Sequence, residues 1–175
     1  SLDKTLASAR HFPAINWLES YSEYLDAVAE WWHGKVGRDW KELRVRTMGI
    51  LNEEEHLSQI VRLVGPDALP DEQRLILETA RLFREGFLQQ NALDPVDAYS
   101  TVEKQIRMLD LILHFHERAE RIIRRGAPIS VLHDLPVVTD LIRMKTSVPN
   151  DRLEGLEELR RETDRQMDAL EAQYA

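Results

Sequence analysis

The chain contains no cysteine. That removes disulfides, thiol catalysis and cysteine-ligated zinc together, and it favours a cytoplasmic setting. No apolar run approaches the roughly 18 residues needed to span a bilayer. The opening SLDKTLASARHFPAIN lacks the apolar centre of a signal peptide, and it reads as the interior of a longer protein. Glycine is scarce at seven residues, none of them in a GxxxxGK(S/T) pattern, so this sequence cannot by itself cradle a triphosphate and magnesium. A GxSxG elbow is missing too. Basic charge is short: 23 Lys and Arg stand against 31 Asp and Glu, for a net charge of −8 and a pI near 5.3. A nucleic-acid backbone needs a basic face, so nucleic-acid binding is excluded as the main task, whereas a basic protein partner is not.

What is present is helical periodicity in 175 residues, enough for one globular domain with a core. Ile15, Leu18, Tyr21, Leu25, Val28 and Trp32 step by three or four residues and predict a first helix, punctuated by Gly34 and Gly37. A second is expected from about Asp39 to Val64, ending at Gly65-Pro66. Pro70 suits the first turn of a third helix, with Asp71 and Glu72 at its positive end and Ile76, Ala80, Phe83 and Phe87 as its buried stripe. QQNALDP reads as a loop. Asp97 or Ser100 could cap a fourth helix carrying Val102, Ile106, Leu109, Leu113 and Ile123 and ending at Gly126 and Pro128. A shorter segment interrupted by Pro136 follows, and then an amphipathic helix through Leu153, Leu156, Thr163, Met167, Leu170 and Tyr174. No strand pattern persists. The fold class is all-α, a single bundle of about six helices over 1–175, with 1–113 as its core and 114–175 as a C-terminal helical extension.

Five groups of residues bear on chemistry. Glu30 with His33 and Glu53 with His56 form two Glu-x-x-His pairs, the spacing used in di-iron and di-manganese helical bundles. Such sites need a further glutamate from a helix between the pairs, and too few residues separate them to supply one. His114 and His116 are two apart and face different ways on a helix. Trp17, Trp31, Trp32 and Trp40 are read as core packing rather than a ligand cage. The RIIRR run, Arg121 to Arg125, is read as a helix C-terminus. The turn GPDALPDEQR, Gly65 to Arg74, should present its carboxylates to solvent at one tip of the bundle.

Longer strings carry a resemblance. RHFPAINWLESYSEYLD, Arg10 to Asp26, resembles the start of the C-terminal domain of V/A-type ATPase A subunits. IVRLVGPDALPDEQRLILETARLFREGFLQQNALDPVDAYS and KQIRMLDLIL are similar to the same family. The likeness is strongest from Ser1 to about Leu113 and looser beyond. It implies a catalytic subunit that alternates with B subunits in an A3B3 ring around a central stalk. It implies ATP or ADP with magnesium in a nucleotide-binding domain preceding Ser1, and proton movement through a membrane sector. The parent would be a proton-translocating ATPase, peripheral to the membrane on the cytoplasmic side and not inserted in it. This stretch alone would be inactive and hold no tightly bound cofactor.

By the same resemblance, Phe12 takes the position whose ring packs on adenine, and Gln90, Asn91, Ala92 and Leu93 form the second wall of that pocket. Family members commonly carry phenylalanine where Leu93 stands, so the wall stays apolar and loses an aromatic. Asp67, Asp71 and Glu72 match, in part, the acidic DELSEED turn of related F-type beta subunits, which leans on the central stalk. The free-standing di-iron or di-manganese protein is the alternative function.

Overall fold

The computed structural model describes residues 1–36 and 40–174, leaving aside the side chain of Val36. The elements are α1 (Lys4–Ser8), α2 (Leu25–Val36), α3 (Trp40–Val64), α4 (Asp71–Phe83), α5 (Val102–Arg124), α6 (Ile129–His133), α7 (Pro136–Ser147) and α8 (Glu154–Glu171). A π-turn, Arg84–Leu88, continues α4. Six of these described helices run twelve residues or more, matching the expected number, and α1 and α6 are single turns. The only β pairing among the described residues is an isolated bridge between Leu2 and Ile15.

The core is built around α5. Its Met108, Leu111, Ile112, Phe115, Ala119 and Ile122 are buried and meet α3, α4, α7 and α8. Leu51 of α3, Leu75, Leu82 and Phe83 of α4, Leu141 and Met144 of α7 and Met167 of α8 close over them. Each fully buried side chain of this kind contributes about 1.5–3 kcal/mol. Charge pins the last helix. Arg118 reaches Asp164 at 2.8 Å and also pairs with Asp168, while His114 Nε2 donates to Asp164 at 2.7 Å. The two close histidines do diverge, since His116 Nδ1 meets Thr79 Oγ1 at 2.7 Å on another face.

Helix ends follow local chemistry. α3 stops at Val64 because Gly65 takes φ +85°, the left-handed region open to glycine. The cap of α5 is Thr101, which accepts from the Lys104 amide at 3.3 Å, rather than the expected Asp97 or Ser100. Pro136 is the first residue of α7, where its missing N–H costs nothing. α4 begins one residue after Pro70.

Two expectations are corrected. The stripe from Ile15 to Trp32 is not one helix: α2 begins only at Leu25, and Ile15 and Tyr21 are exposed. Asn16 explains this. Its side-chain oxygen accepts from the Leu18 and Glu19 amides at 3.0 and 3.2 Å, offering the backbone a turn in place of a helix. Nor do all the tryptophans join the core: Trp17 and Trp40 pack against it as expected, whereas Trp31 does not. Trp31 meets Trp32 edge to face and Trp32 meets Trp40 at a tilt, with centroids 5.1 and 5.8 Å apart, and Trp31 is 58% exposed. Gly34 lies inside α2, whereas the break at Gly37 and the helix start at Asp39 lie outside the described residues.

Candidate nucleotide-contact and partner-contact sites

The π-turn decides where the chain goes after α4. Packed against α7, its Gly86 allows the two backbones to approach so closely that a Cβ would lie 2.9 Å from the Leu141 carbonyl oxygen. Such turns are frequent at functional sites. The loop 89–101 that follows is shaped by its own short polar side chains. Asn91 Oδ1 accepts from the Leu93 amide at 3.0 Å, and Asp94 Oδ1 accepts from Val96 and Asp97 at 2.8 and 3.0 Å. The Asp97 carboxylate is buried and accepts from the Asn91 amide at 2.6 Å.

This loop meets the N-terminal segment. The Gln90 amide donates to the Phe12 carbonyl at 2.7 Å, and Gln89 Nε2 donates to the Arg10 carbonyl at 3.4 Å. Phe12 is 52% exposed and Leu93 is 94% exposed. Asn91 and Ala92 are exposed between them in sequence. The five residues expected at an adenine pocket therefore come from two segments nearly eighty positions apart, joined at one rim by a backbone hydrogen bond. Beneath them His11 is buried with its ring 5.4 Å from that of Trp17. Burial pushes its imidazole below the ordinary histidine range, and Lys145 and Arg84 add to the effect.

Lysines under the loop escaped sequence reasoning. Lys145 Nζ donates to the Glu85 carbonyl at 2.6 Å and to the Gln89 carbonyl, and Lys104 Nζ donates to the Lys145 carbonyl at 2.7 Å. Burial pushes both ammonium groups below the usual lysine range, with Asp97 opposing the shift at each. The signal was available: Lys104 shares the helical stripe of Met108, Leu111 and Phe115, and Lys145 that of Val138 and Leu141. A lysine at a core position is rare unless paired.

The second region lies at the opposite end of α4. Gly65 and the tight turn Pro66–Ala68 hold out Asp67, whose side chain is 92% exposed, while Leu69 plugs the turn from below. Glu72 is exposed, and Arg74 lies 3.7 Å from both Asp67 and Asp71. Leu63 and Val64, exposed at the end of α3, stand beside these acids. α4 thus starts in the acidic turn and ends in the π-turn that feeds the loop. Its 13 residues form a rod about 20 Å long.

Glu30, His33, Glu53 and His56 are all exposed, and no group of three or more metal-ligating side chains gathers among the described residues. A buried dinuclear site needs inward convergence from four helices, so the di-metal alternative has no support. No described helix is long and apolar enough to cross a membrane.

The described residues form an all-α bundle that presents two loops, one at each end of α4. The chain belongs to the family of the C-terminal domain of V and A type ATP synthase, whose model matches residues 29–132. It is 53% identical over 171 residues to the A subunit of the A-type ATP synthase of Methanopyrus kandleri, covering 97% of this chain and 29% of that protein. It is 50% identical over 159 residues to the V-type ATP synthase alpha chain of Halothermothrix orenii, covering 91% of this chain and 27% of that protein. The chain therefore spans under a third of the length of these curated relatives.

Proposed function

We propose that this chain closes the adenine pocket in the catalytic subunit of a V/A-type ATP synthase and couples that closure to a central stalk. The observation that carries the reading is the 2.7 Å hydrogen bond from the Gln90 amide to the Phe12 carbonyl, which keeps two exposed segments side by side. Phe12 supplies a ring for stacking on the purine, and Gln90, Asn91, Ala92 and Leu93 supply the second wall. Stacking suits this task because a π-face holds a base without demanding hydrogen-bond partners. The whole of 1–175 acts as one helical unit in this reading. The phosphates and magnesium are held by a nucleotide-binding segment outside this sequence, because no phosphate-cradling glycine pattern occurs within it.

Asp67, Asp71 and Glu72 form the contact toward the stalk, with α4 as the strut between that contact and the pocket. Rotation of the bundle as a rigid body then links nucleotide occupancy to stalk position, a hinge-type transition. B subunits alternate with the catalytic ones in a ring at the cytoplasmic face of the membrane, and ATP turnover is coupled to proton movement in a separate membrane sector. Exposed ion pairs are each worth only about 0–1 kcal/mol, so the shape of the turn, including Leu63 and Val64, carries much of the contact.

The test is Phe12→Ala in the full-length subunit within its assembled ATPase. Losing a stacking ring costs about 1–3 kcal/mol, so KM for ATP should rise roughly 5- to 150-fold while binding of tripolyphosphate, which has no base, is unchanged. An unaltered KM for ATP overturns the reading.

A further inference from the structure

We propose that Lys145 is a positioning residue for the Gln90–Leu93 wall, acting by ending the π-turn one hydrogen bond early. The backbone pattern shows how. In a π-turn each amide bonds the carbonyl five residues back, and the Gln89 amide does so, reaching the Arg84 carbonyl at 2.9 Å. Continued by one residue, the pattern would send the Gln90 amide to the Glu85 carbonyl. Lys145 Nζ takes that carbonyl instead, at 2.6 Å, together with the carbonyl of Gln89. The Gln90 amide is thereby free to bond the Phe12 carbonyl at 2.7 Å. One ammonium group satisfies both carbonyls at the end of the turn and redirects the one amide that clamps the two walls together.

Lys145 is itself held from behind. Lys104, in the first turn of α5 and 1% exposed, donates to the Lys145 carbonyl at 2.7 Å. Asp97, 3% exposed, faces both lysines electrostatically and accepts the next loop amide, that of Asn91, at 2.6 Å. Consecutive amides of the wall are thus assigned in opposite directions, Gln90 to the N-terminal segment and Asn91 to the interior. A buried lysine, a half-buried one and a buried carboxylate are an expensive set to desolvate. A bundle that needed only stability would do as well with apolar residues at these positions, whereas no apolar side chain can cap two carbonyls.

This inference rests on the adenine-pocket reading and is tested beside it in the full-length subunit within its assembled ATPase. Lys145→Met should raise KM for ATP about tenfold, by misplacing groups that stack on the base, with kcat changed less than about twofold. Hydrogen exchange at the Gln90 amide should lose its protection while α5 and the first turns of α7 keep theirs. Lys145→Arg, which can still donate to both carbonyls, should recover most of the loss. Unchanged KM and unchanged Gln90 protection in Lys145→Met overturn the proposal. So does a fall in kcat accompanied by lost protection throughout α7, which marks a purely structural role. If Lys145→Met does not assemble, the near-isosteric Asp97→Asn decides: loss of Asn91 and Gln90 protection with a raised KM supports the relay, and wild-type behaviour overturns it. Phe12→Ala separates the two readings, since it tests stacking and leaves the Lys145 contacts in place. If Phe12→Ala has no effect on KM, the pocket reading fails, and Gln90 exchange still reports on Lys145.

Discussion

Replacing Gly86 with alanine should destabilise the chain, although alanine is the better helix former. In an open helix Gly→Ala gains about 1 kcal/mol. At Gly86 the new Cβ would lie 2.9 Å from the Leu141 oxygen and 3.3 Å from the Ile142 Cα. Both are backbone atoms of α7, so no rotamer change relieves the contact and the π-turn must move away from α7. Overpacking costs typically about 1–3 kcal/mol, and against unyielding backbone the upper part of that range applies, about 2–3 kcal/mol, so the net effect is a loss of about 1–2 kcal/mol. For a chain of this size that lowers Tm by roughly 2–8 °C. Gly49 is the internal control: it is exposed in α3 with no atom within 4 Å of its would-be Cβ, so Gly49→Ala should raise Tm by about 2–4 °C. Thermal unfolding followed by circular dichroism reads both. A Gly86→Ala protein at or above the wild-type Tm would refute the argument that backbone approach, rather than propensity, selects glycine there.

Acid stability and partner contact offer further tests. Burial pushes His116 below the ordinary histidine pKa of 6.5, outweighing the nearby Glu120. The unfolded chain therefore binds the proton more readily, and stability is full above about pH 6.5 and falls as the pH drops toward the depressed folded value. The slope of unfolding free energy between pH 6.5 and 5 should flatten in His116→Gln, and an identical slope would exclude His116 as its source. The triple change Asp67→Asn, Asp71→Asn, Glu72→Gln should weaken affinity for a basic stalk surface, by about 0–1 kcal/mol per exposed pair, and should remove most of the salt dependence of that binding. Affinity and salt dependence both matching wild type would show that the acids take no part.

Helix existence was legible where one element's own residues settle it. The α3 boundary at Val64, the acid-led start of α4 and the Pro136 break all follow from glycine, proline and dipole chemistry within a few positions. The region from Ile15 to Trp32 misled because periodicity records only the spacing of apolar residues. A single Asn16 side chain, bonding two amides ahead of it, broke the helix without disturbing that spacing. Trp31 misled in the opposite way. Size predicts burial on average, and Trp17 and Trp40 do pack against the core, yet Trp31 meets Trp32 edge to face and stays 58% exposed.

By itself the sequence determined the helical class, the family strings and the identity of the residues in the two loops, because those depend on local pattern. Only tertiary structure decided that Phe12 and Gln90 are neighbours, that α4 joins the acidic turn to the loop 89–101, and that Lys145 and Lys104 lie beneath that loop. The physical reason is range. Capping, turns and amphipathic spacing act over three or four residues, whereas an amide redirected by a lysine 55 positions later exists only once the whole bundle has closed.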